Sequence, residues 1–302
     1  MNRKEGTEDR SGCQEKEKPE YELKMQPYDG FNYPVQMHNV ADHLRNIRDM
    51  TLRDDDIFIT SYPKSGTHWI NEVVYMLLQG HASYCRKHCW LDVESIDTTD
   101  NAPSPRIIIT HVPIKWLPWR LSQGRVKVIY MTRNPKDVVV SHYNFVANMA
   151  ATAFDGEFNY SYIDKFLNGD VVYDSWFRSV LGWEKFPDTH PNVPFMMMNY
   201  ENMKLNLRQE VERVAFFLGK SFDEDLLDKI VESCSFSKTK HDKQENPDPR
   251  FKTFARDGSQ ILYRKGEVGD WKNWFTVTDS EKFDQVYKEK MLGSKLTFRF
   301  SL

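Results

Sequence analysis

Apolar and polar positions divide most of the chain into short buried segments and amphipathic ones. The segment Asp56–Tyr62 is largely apolar, which suits a buried strand. Over residues 70–78 the apolar side chains recur at i, i+3, i+4, i+7 and i+8, the spacing of one helical face. Gly80 marks the end of that predicted helix. A short polar loop lies between strand and helix, which is the order that a phosphate-binding loop requires.

The same alternation continues towards the C-terminus. Further strands are predicted at Arg106–Thr110, Val126–Thr132 and Val193–Asn199, and further helices at Lys136–Asn148, Leu207–Gly219 and Asp223–Cys234. Asn134 and Pro135 suit the N-cap and the first turn of one helix. Strands that are apolar throughout and alternate with helices indicate a parallel sheet covered on both faces. We therefore predict an α/β fold, with a single domain over residues 21–302.

The composition of the 302 residues is that of a globular protein, with 40% hydrophobic and 28% charged residues. A net charge of −3 predicts no nucleic acid or membrane partner, so any anion site must be local. No apolar run approaches the roughly 18 residues of a membrane helix. Residues 1–20 lack the apolar core of a signal peptide and are predicted to be a disordered tail. Four cysteines without an export signal predict a reduced, cytoplasmic protein.

Four candidate zinc ligands, His81, Cys85, His88 and Cys89, fall within nine residues of one another. A structural zinc site usually joins two separated pairs of ligands, whereas this run is too short to wrap around an ion. We therefore interpret the segment as a polar loop with incidental cysteines. We predict no metal cofactor.

The segment TSYPKSGTHW, residues 60–69, resembles a phosphate-binding loop but departs from the usual motif. A nucleoside triphosphate loop reads G-x-x-x-x-G-K-[ST], with the lysine directly after the second glycine. Here Lys64 stands two positions before Gly66. Gly66 permits close backbone approach, and the helix N-terminus offers unpaired N–H groups and the positive end of a dipole. We expect the loop to bind an anion, with Lys64 as its mobile charge.

Polar and basic residues also follow the other predicted strands. His111 follows the second strand, Arg133 follows the third, and Arg264 and Lys265 precede Gly266 near the C-terminus. Ligands of a doubly wound sheet lie at the carboxyl ends of its strands. A triphosphate enzyme generally needs an Asp there to hold Mg²⁺, whereas an arginine binds an anion directly. The sequence therefore predicts a second phosphate site, separate from the first.

The polar segment Ser235–Ser259 breaks the alternation, because it has two prolines and no clear period. A long irregular segment inside a compact domain is usually functional or disordered. The basic motif that follows it favours a functional loop. We predict a lid that becomes ordered when nucleotide binds.

Three segments, SYPKSGTHW, TRNPKDVVVS and RKGEVGDWKNWF, resemble the three signature segments of the cytosolic sulfotransferases. They occur in the family's order, and the similarity runs over residues 28–302. The resemblance implies a P-loop-like sulfotransferase fold. It also implies the donor 3′-phosphoadenosine 5′-phosphosulfate (PAPS), with 3′-phosphoadenosine 5′-phosphate (PAP) as the product. A donor with two separate phosphates matches the two anion sites inferred above.

The resemblance implies a role for each position that matches the family's motifs. The 5′-phosphosulfate would be held by Lys64, Ser65, Gly66, Thr67, His68 and Trp69, with Trp69 stacking on adenine. The 3′-phosphate would be held by Arg133, Ser141, Arg264, Lys265 and Gly266. The rest of the donor site would be formed by Tyr200 at the adenine, the loop residue Ser235, and Phe236 on the second face of the adenine.

His111 matches the family's catalytic base, and its chemistry agrees with that role. An imidazole whose ordinary pKa is near 6.5 can take a proton from a hydroxyl at neutral pH. Lys64 can neutralise the departing phosphate, and the lower charge of a sulfuryl group makes a metal less necessary. We predict a sulfotransferase that transfers the sulfuryl group of PAPS to a small acceptor. The acceptor stays open among a phenol, a steroid alcohol, an aliphatic alcohol and a monoamine.

The walls of the acceptor pocket and the oligomeric state are predicted less directly. Candidate aromatic walls are Phe31, Tyr84, Trp90, Tyr143 and Phe145. The segment KNWFTVTDSE resembles the family's short dimer motif and implies a homodimer through Lys272, Thr276, Val277 and Glu281. Two alternative functions are a non-catalytic regulatory homologue that binds PAPS or PAP, and a nucleotide kinase with a variant P-loop. The missing G-x-x-x-x-G-K-[ST] motif counts against the kinase.

Overall fold

A hairpin and a five-stranded sheet make up the strands of the computed structural model. The structure describes residues 23–86, 89–123, 125–152, 154, 156–246, 255–256 and 261–302. Its strands are β1 Met25–Tyr28, β2 Phe31–Pro34, β3 Ile57–Ser61, β4 Cys89–Trp90, β5 Ile107–Thr110, β6 Lys127–Thr132 and β7 Phe195–Asn199. β1 and β2 pair antiparallel, and the other five form a parallel sheet in the order β4-β5-β3-β6-β7. The predicted parallel sheet is confirmed, with β3 at its centre.

The helices connect and cover these strands. They are α1 Val40–Asp49, α2 Thr67–Gln79, α3 Ile96–Asp100, α4 Pro135–Asn148, α5 Tyr160–Asn168, α6 Trp176–Glu184, α7 Phe186–Thr189, α8 Tyr200–Leu205, α9 Leu207–Leu218, α10 Glu224–Ser233, α11 Phe236–Glu245 and α12 Val277–Lys290. The predicted helix ends are confirmed where turn chemistry marked them. Gly80 ends α2 at φ 70°, and Asn134 caps α4 by accepting a hydrogen bond from the Asp137 amide.

Side chains alternate between the two faces of the sheet and build a hydrophobic core on each. Phe58 belongs to the core that includes residues of α1, α4, α5 and α6. Its neighbours Ile57 and Ile59 belong to the core that includes residues of α2, α9 and α10. Because both faces of the five-stranded sheet are buried, most positions of its strands are apolar, which explains the continuous apolar runs in the sequence. The described elements therefore form one domain around one sheet.

The segment predicted to be irregular begins with a helix, so that part of the prediction is wrong. α11 covers Phe236–Glu245 and carries hardly any apolar periodicity, since only Thr239 is buried on it. Its contacts are polar instead: the Thr239 hydroxyl donates to the Ser233 carbonyl at 3.1 Å, and Lys240 donates to the Arg264 carbonyl at 2.8 Å. Tertiary hydrogen bonds thus supply the stability that the sequence pattern does not reveal. The ordering of the segment by nucleotide stays a prediction.

Other expectations fall partly outside the described residues. The predicted tail at residues 1–20 lies there, and so does His88 of the candidate zinc cluster. Cys85 and Cys89 are buried free thiols, so the loop is less polar than we expected. In the described ranges, His, Cys, Asp and Glu side chains form no group of three or more able to hold a metal ion. The helices described above include none that is long and apolar enough to span a bilayer.

Candidate active site

Each of the five parallel strands brings a polar residue to the same edge of the sheet. Lys64 follows β3, Asp92 follows β4, His111 follows β5, Arg133 follows β6 and Tyr200 follows β7. The carboxyl ends of parallel strands share one edge, where the ligands of such sheets bind. Lys64, His111, Arg133 and Tyr200 all line a single cavity there. The prediction that Lys64, His111 and Arg133 lie at this edge of the sheet is confirmed.

The loop between β3 and α2 has a backbone shape that requires its glycine. Gly66 adopts φ 111°, and a β-carbon there would lie 2.9 Å from Cδ2 of Tyr200 and 3.0 Å from Cε of Met131. Lys64 also adopts a positive φ, 68°, which is uncommon for a residue with a β-carbon. The first turn of α2 follows at once, so the loop and the positive end of the helix face the same cavity.

Two of the predicted site residues each carry a buried hydrogen-bond donor that lacks a partner among the described residues. The donors are the hydroxyl of Ser65 and Nε of Arg133. The Arg133 guanidinium also donates from Nη2 to the Glu267 carbonyl at 2.9 Å and lies 4.1 Å from the centroid of the Tyr200 ring. A buried donor without a partner is destabilising, and phosphate oxygens are strong acceptors for arginine and hydroxyl groups. The donor set therefore fits an anionic ligand with several oxygens.

Lys64 sits in a strongly electropositive environment. Burial, with the charges of Arg133 and Arg264 added to it, lowers the pKa of Lys64 to about 7. Its ammonium lies 4.3 Å from the centroid of the Phe145 ring. A phosphate placed beside these cations would relieve their mutual repulsion and favour the charged lysine. The pKa of Lys64 therefore depends on the charge of a ligand bound beside it.

His111 is oriented by the end of the central strand. Its Nδ1 lies 2.8 Å from the carbonyl oxygen of Ser61. A carbonyl only accepts, so Nδ1 carries the proton and Nε2 has a free lone pair. Burial lowers the pKa of His111, while the charge of Asp92 acts in the opposite direction. The result is a neutral imidazole, which is the form that can accept a proton.

Asp92 holds this arrangement together, and sequence reasoning missed it. The buried carboxylate accepts hydrogen bonds from the Thr110 hydroxyl at 2.6 Å, the His111 amide at 2.9 Å and the Tyr173 hydroxyl at 2.7 Å. The Tyr173 ring packs edge-on against the His111 ring at 5.3 Å. An Asp directly after an apolar pair was the available signal, but the two-residue strand β4 is too short to be recognised by periodicity.

The second group of cations surrounds Asp270, which the sequence analysis also missed. Arg264 and Lys265 both pair with this carboxylate, Lys265 at 2.6 Å. Burial alone would raise the pKa of Asp270, but hydrogen bonds from Lys265, Asn273 and Arg264 hold it well below its usual range. Gly266 lies against Phe236, since a β-carbon there would be 2.1 Å from the ring.

Nearly all of the site residues predicted from the sequence border the same cavity. The lining includes Lys64, Gly66, Thr67, His68, Trp69, His111, Arg133, Ser141, Tyr200, Phe236, Arg264, Lys265 and Gly266. Ser65 is fully buried in the loop, and Ser235 is the N-cap of α11. Trp69 is fixed by a 2.7 Å hydrogen bond from Nε1 to the Cys234 carbonyl and by an edge-on contact with Tyr200.

The aromatic residues predicted for the acceptor wall fall into two groups, those that line the cavity and those that pack elsewhere. Trp90 and Phe145 line the cavity, together with His142, Val146, Met149 and Val172, which the sequence analysis did not single out. Phe31 instead lies under the Arg178 guanidinium at 3.6 Å. Tyr84 donates to the Ser233 carbonyl at 2.6 Å, and Tyr143 packs in an aromatic cluster with Phe154 and Phe158. Sequence shows that a residue is aromatic but not which way it points.

His142 is a structural histidine in this wall. Its Nδ1 lies 2.7 Å from the Tyr162 hydroxyl, and the ring is buried. Burial, with a smaller contribution from the charge of Lys64, lowers the pKa of His142 to about 3. The ring is therefore neutral throughout the physiological range and presents an uncharged surface to the cavity.

Fold and site together define a P-loop-like α/β protein whose cavity at the carboxyl ends of the strands is lined by Lys64, Arg133 and His111. Comparison with known proteins narrows this class. Residues 54–295 match the pattern described as a sulfotransferase domain. The chain belongs to the sulfotransferase family, whose members transfer sulfuryl groups. This confirms the resemblance seen in the signature segments.

Characterised relatives cover nearly the whole chain. It is 37% identical over 281 residues to sulfotransferase 1B1 of the dog, which spans 88% of this chain and 93% of the relative. Sulfotransferase 1B1 of the mouse is 38% identical over 284 residues, covering 88% and 92% of the two chains. Mouse sulfotransferase SULT7A1, solved in complex with PAP, has a TM-score of 0.76 at 30% identity and covers 89% of this chain and 95% of its own.

Proposed function

We propose that this enzyme transfers a sulfuryl group from PAPS to a hydroxyl group of a small acceptor. The observation that carries the proposal is the hydrogen bond from His111 Nδ1 to the Ser61 carbonyl, which leaves Nε2 as the basic nitrogen of a residue that lines the same cavity as Lys64. Membership of the sulfotransferase family supports the reaction type. The PAP complex of the mouse relative supports the same donor.

The residues around the cavity suit the two ends of such a donor. We infer that the 5′-phosphosulfate lies at Lys64–Trp69, where the Ser65 hydroxyl has no hydrogen-bond partner within the described part of the chain. The 3′-phosphate would then lie at Arg133 and Ser141, with Arg264, Lys265 and Gly266 closing the site. Trp69, Tyr200 and Phe236 would enclose the adenine, next to Ser235. When bound, PAPS supplies a sulfuryl group on a phosphate leaving group.

His111 and Lys64 then perform the proton transfer and the charge neutralisation. Nε2 of His111 takes the acceptor's proton as the acceptor oxygen bonds to sulfur, and the bond from sulfur to the phosphate oxygen breaks. The depressed pKa of His111 keeps this base neutral at physiological pH. Asp92 stabilises the imidazolium that forms, since its charge favours the protonated ring. Lys64 neutralises the phosphate that departs.

A transfer assay with PAPS labelled in its sulfate tests the proposal. We expect labelled product with members of a panel of phenols and aliphatic and steroid alcohols, and monoamines extend the panel. In parallel, calorimetry should show tighter binding of PAP than of adenosine 5′-phosphate, because only PAP fills both anion sites. Tight PAP binding without transfer to any acceptor would instead identify the non-catalytic regulator. Equal binding of both nucleotides would contradict the two-site donor.

We also propose that the enzyme acts in the cytoplasm as a homodimer. The segment with Lys272, Thr276, Val277 and Glu281 supports the dimer, and Val277 is 76% exposed at the start of α12. An exposed aliphatic side chain next to a capped helix start suits an interface between two copies. Analytical ultracentrifugation should find a dimer for the natural chain and a monomer for Val277→Glu. A monomeric natural chain at micromolar concentration would contradict the dimer.

A further inference from the structure

A buried ion pair outside the reaction centre joins α11 to α2. Lys243 of α11 donates to Oε1 of Glu72 at 2.7 Å, and the Glu72 side chain is 1% exposed. The other carboxylate oxygen, Oε2, accepts a hydrogen bond from the Cys85 amide at 2.8 Å. The Lys243 ammonium also lies 4.9 Å from the centroid of the Tyr84 ring. The proposed reaction uses neither of the two charged residues.

Such a pair is costly to bury, so its presence needs a reason. Burial raises the pKa of Glu72, and the charge of Lys243 opposes that shift. Buried ion pairs often stabilise a protein no more than apolar residues of the same size would, but in some proteins they specify the relative position of the elements that carry them. Here the fixed elements are two helices that both border the cavity.

α11 contacts the proposed donor site at two further points. Its first residue, Phe236, packs against Gly266, and Lys240 donates to the Arg264 carbonyl at 2.8 Å. Lys243 follows Phe236 by seven residues, about two helical turns. α2, in turn, starts at the loop proposed to bind the 5′-phosphosulfate. The ion pair therefore connects the helix that starts at the proposed 5′-phosphosulfate site to the helix that carries Phe236, proposed to lie on the adenine.

We propose that Glu72 and Lys243 are positioning residues for the nucleotide, which hold α11 on α2 so that Phe236 and the segment 264–266 meet the bound donor. This inference rests on the proposed use of PAPS. Loss of the pair frees α11 to move relative to α2. The binding of PAP and PAPS then has to restore that geometry, which lowers affinity. The chemical step at His111 is not altered.

The chain provides a matched control on the same helix. Lys238 donates to Glu232 at 2.8 Å, but their side chains are 42% and 70% exposed. An exposed pair of this kind contributes little to structure. Lys238→Met therefore removes a lysine and its ion pair from α11 without removing the buried connection to α2.

Calorimetric titration with PAP tests the proposal on the full chain. We expect Lys243→Met and Glu72→Gln to raise the Kd for PAP about tenfold, and Lys238→Met to change it less than about twofold. In the transfer assay the KM for PAPS should rise in the same two variants while kcat is kept. Lys243→Arg should recover most of the affinity. Hydrogen exchange over residues 236–245 should be faster in nucleotide-free Lys243→Met.

A merely structural role for the pair gives a different result. Natural affinity for PAP in folded Lys243→Met and Glu72→Gln, with only a lower melting temperature, would overturn the proposal. If Lys243→Met does not fold, the double variant Glu72→Gln with Lys243→Met removes both buried charges and serves for the same titration. Failure of the natural chain to bind PAP would refute the proposed donor itself, which distinguishes that failure from a failure of the positioning role.

Discussion

The imidazole of His111, which follows β5, hydrogen bonds through Nδ1 to the main-chain carbonyl of Ser61 at the end of β3, over a distance of 2.8 Å. The two strands pair in parallel, with Thr60 opposite Thr110, so their ends lie side by side. The Ser61 hydroxyl lies farther from the same nitrogen, at 3.3 Å. The closer contact is to a backbone atom, so the register of the sheet favours the tautomer of His111 that carries its proton on Nδ1.

Removal of the base should abolish most of the activity but not the nucleotide site. For His111→Ala we expect kcat to fall by about 10²–10⁴, the usual contribution of a general base. The Kd for PAP should stay within about threefold of the natural value, because the residues that hold the phosphates are unchanged. His81→Ala, an exposed histidine, is the control. Transfer at the natural rate by His111→Ala would contradict the assignment of the base.

Asp92 should control both the position and the basicity of His111. In Asp92→Asn the amide cannot accept from Thr110, His111 and Tyr173 together, and the charge that raises the pKa of His111 is lost. We expect kcat/KM to fall about tenfold or more. The acid limb of its pH profile should move to lower pH.

Tyr173→Phe removes only one of these hydrogen bonds and keeps the charge of Asp92, so it separates the two effects. We expect a smaller loss of kcat/KM and an acid limb close to that of the natural enzyme. Equal pH profiles for the natural enzyme and Asp92→Asn would show that Asp92 does not act on the base.

Nucleotide binding should be coupled to protonation of Lys64. The pKa of this side chain is lowered to about 7 in the nucleotide-free protein, so at pH 8 most molecules carry it uncharged. A bound phosphate favours the charged form and raises that pKa, so PAP binding at pH 8 should take up as much as about one proton. Calorimetry in two buffers of different ionisation enthalpy measures the uptake. At pH 6, and in Lys64→Met, the uptake should be much smaller; equal values at both pH values would contradict the coupling.

We expect PAP binding to require Gly266 because this residue has no side chain, and not only because of its positive φ. Gly266→Ala would place a β-carbon 2.1 Å from the Phe236 ring, whereas Gly80→Ala meets no atom of the described residues within 4 Å. Both glycines have similar positive φ, 68° and 70°, so each alanine should destabilise by about 1–3 kcal/mol through backbone strain. Only Gly266→Ala should also weaken PAP binding, by about tenfold. Equal affinities in the two variants would contradict this.

Local patterns in the sequence predicted most of the sheet and many of the helix ends. Apolar runs predicted four of the parallel strands, and Asn134, Gly80 and Gly219 predicted helix boundaries, because caps act within a few residues. Elements without a local signal were missed. β4 has only two residues, and α11 is held by polar contacts to distant segments.

The sequence by itself determined the fold class and most of the residues that line the cavity, because strand order and motif spacing bring them to one edge of a parallel sheet. Only the tertiary structure decided which neighbours act on them. Asp92 and Tyr173 are 81 positions apart in the sequence, yet both contact His111. Glu72 and Lys243 form an ion pair although 171 positions separate them. Such contacts leave no periodic trace in the sequence, since they arise only when packing brings distant side chains out of water and into hydrogen-bonding distance.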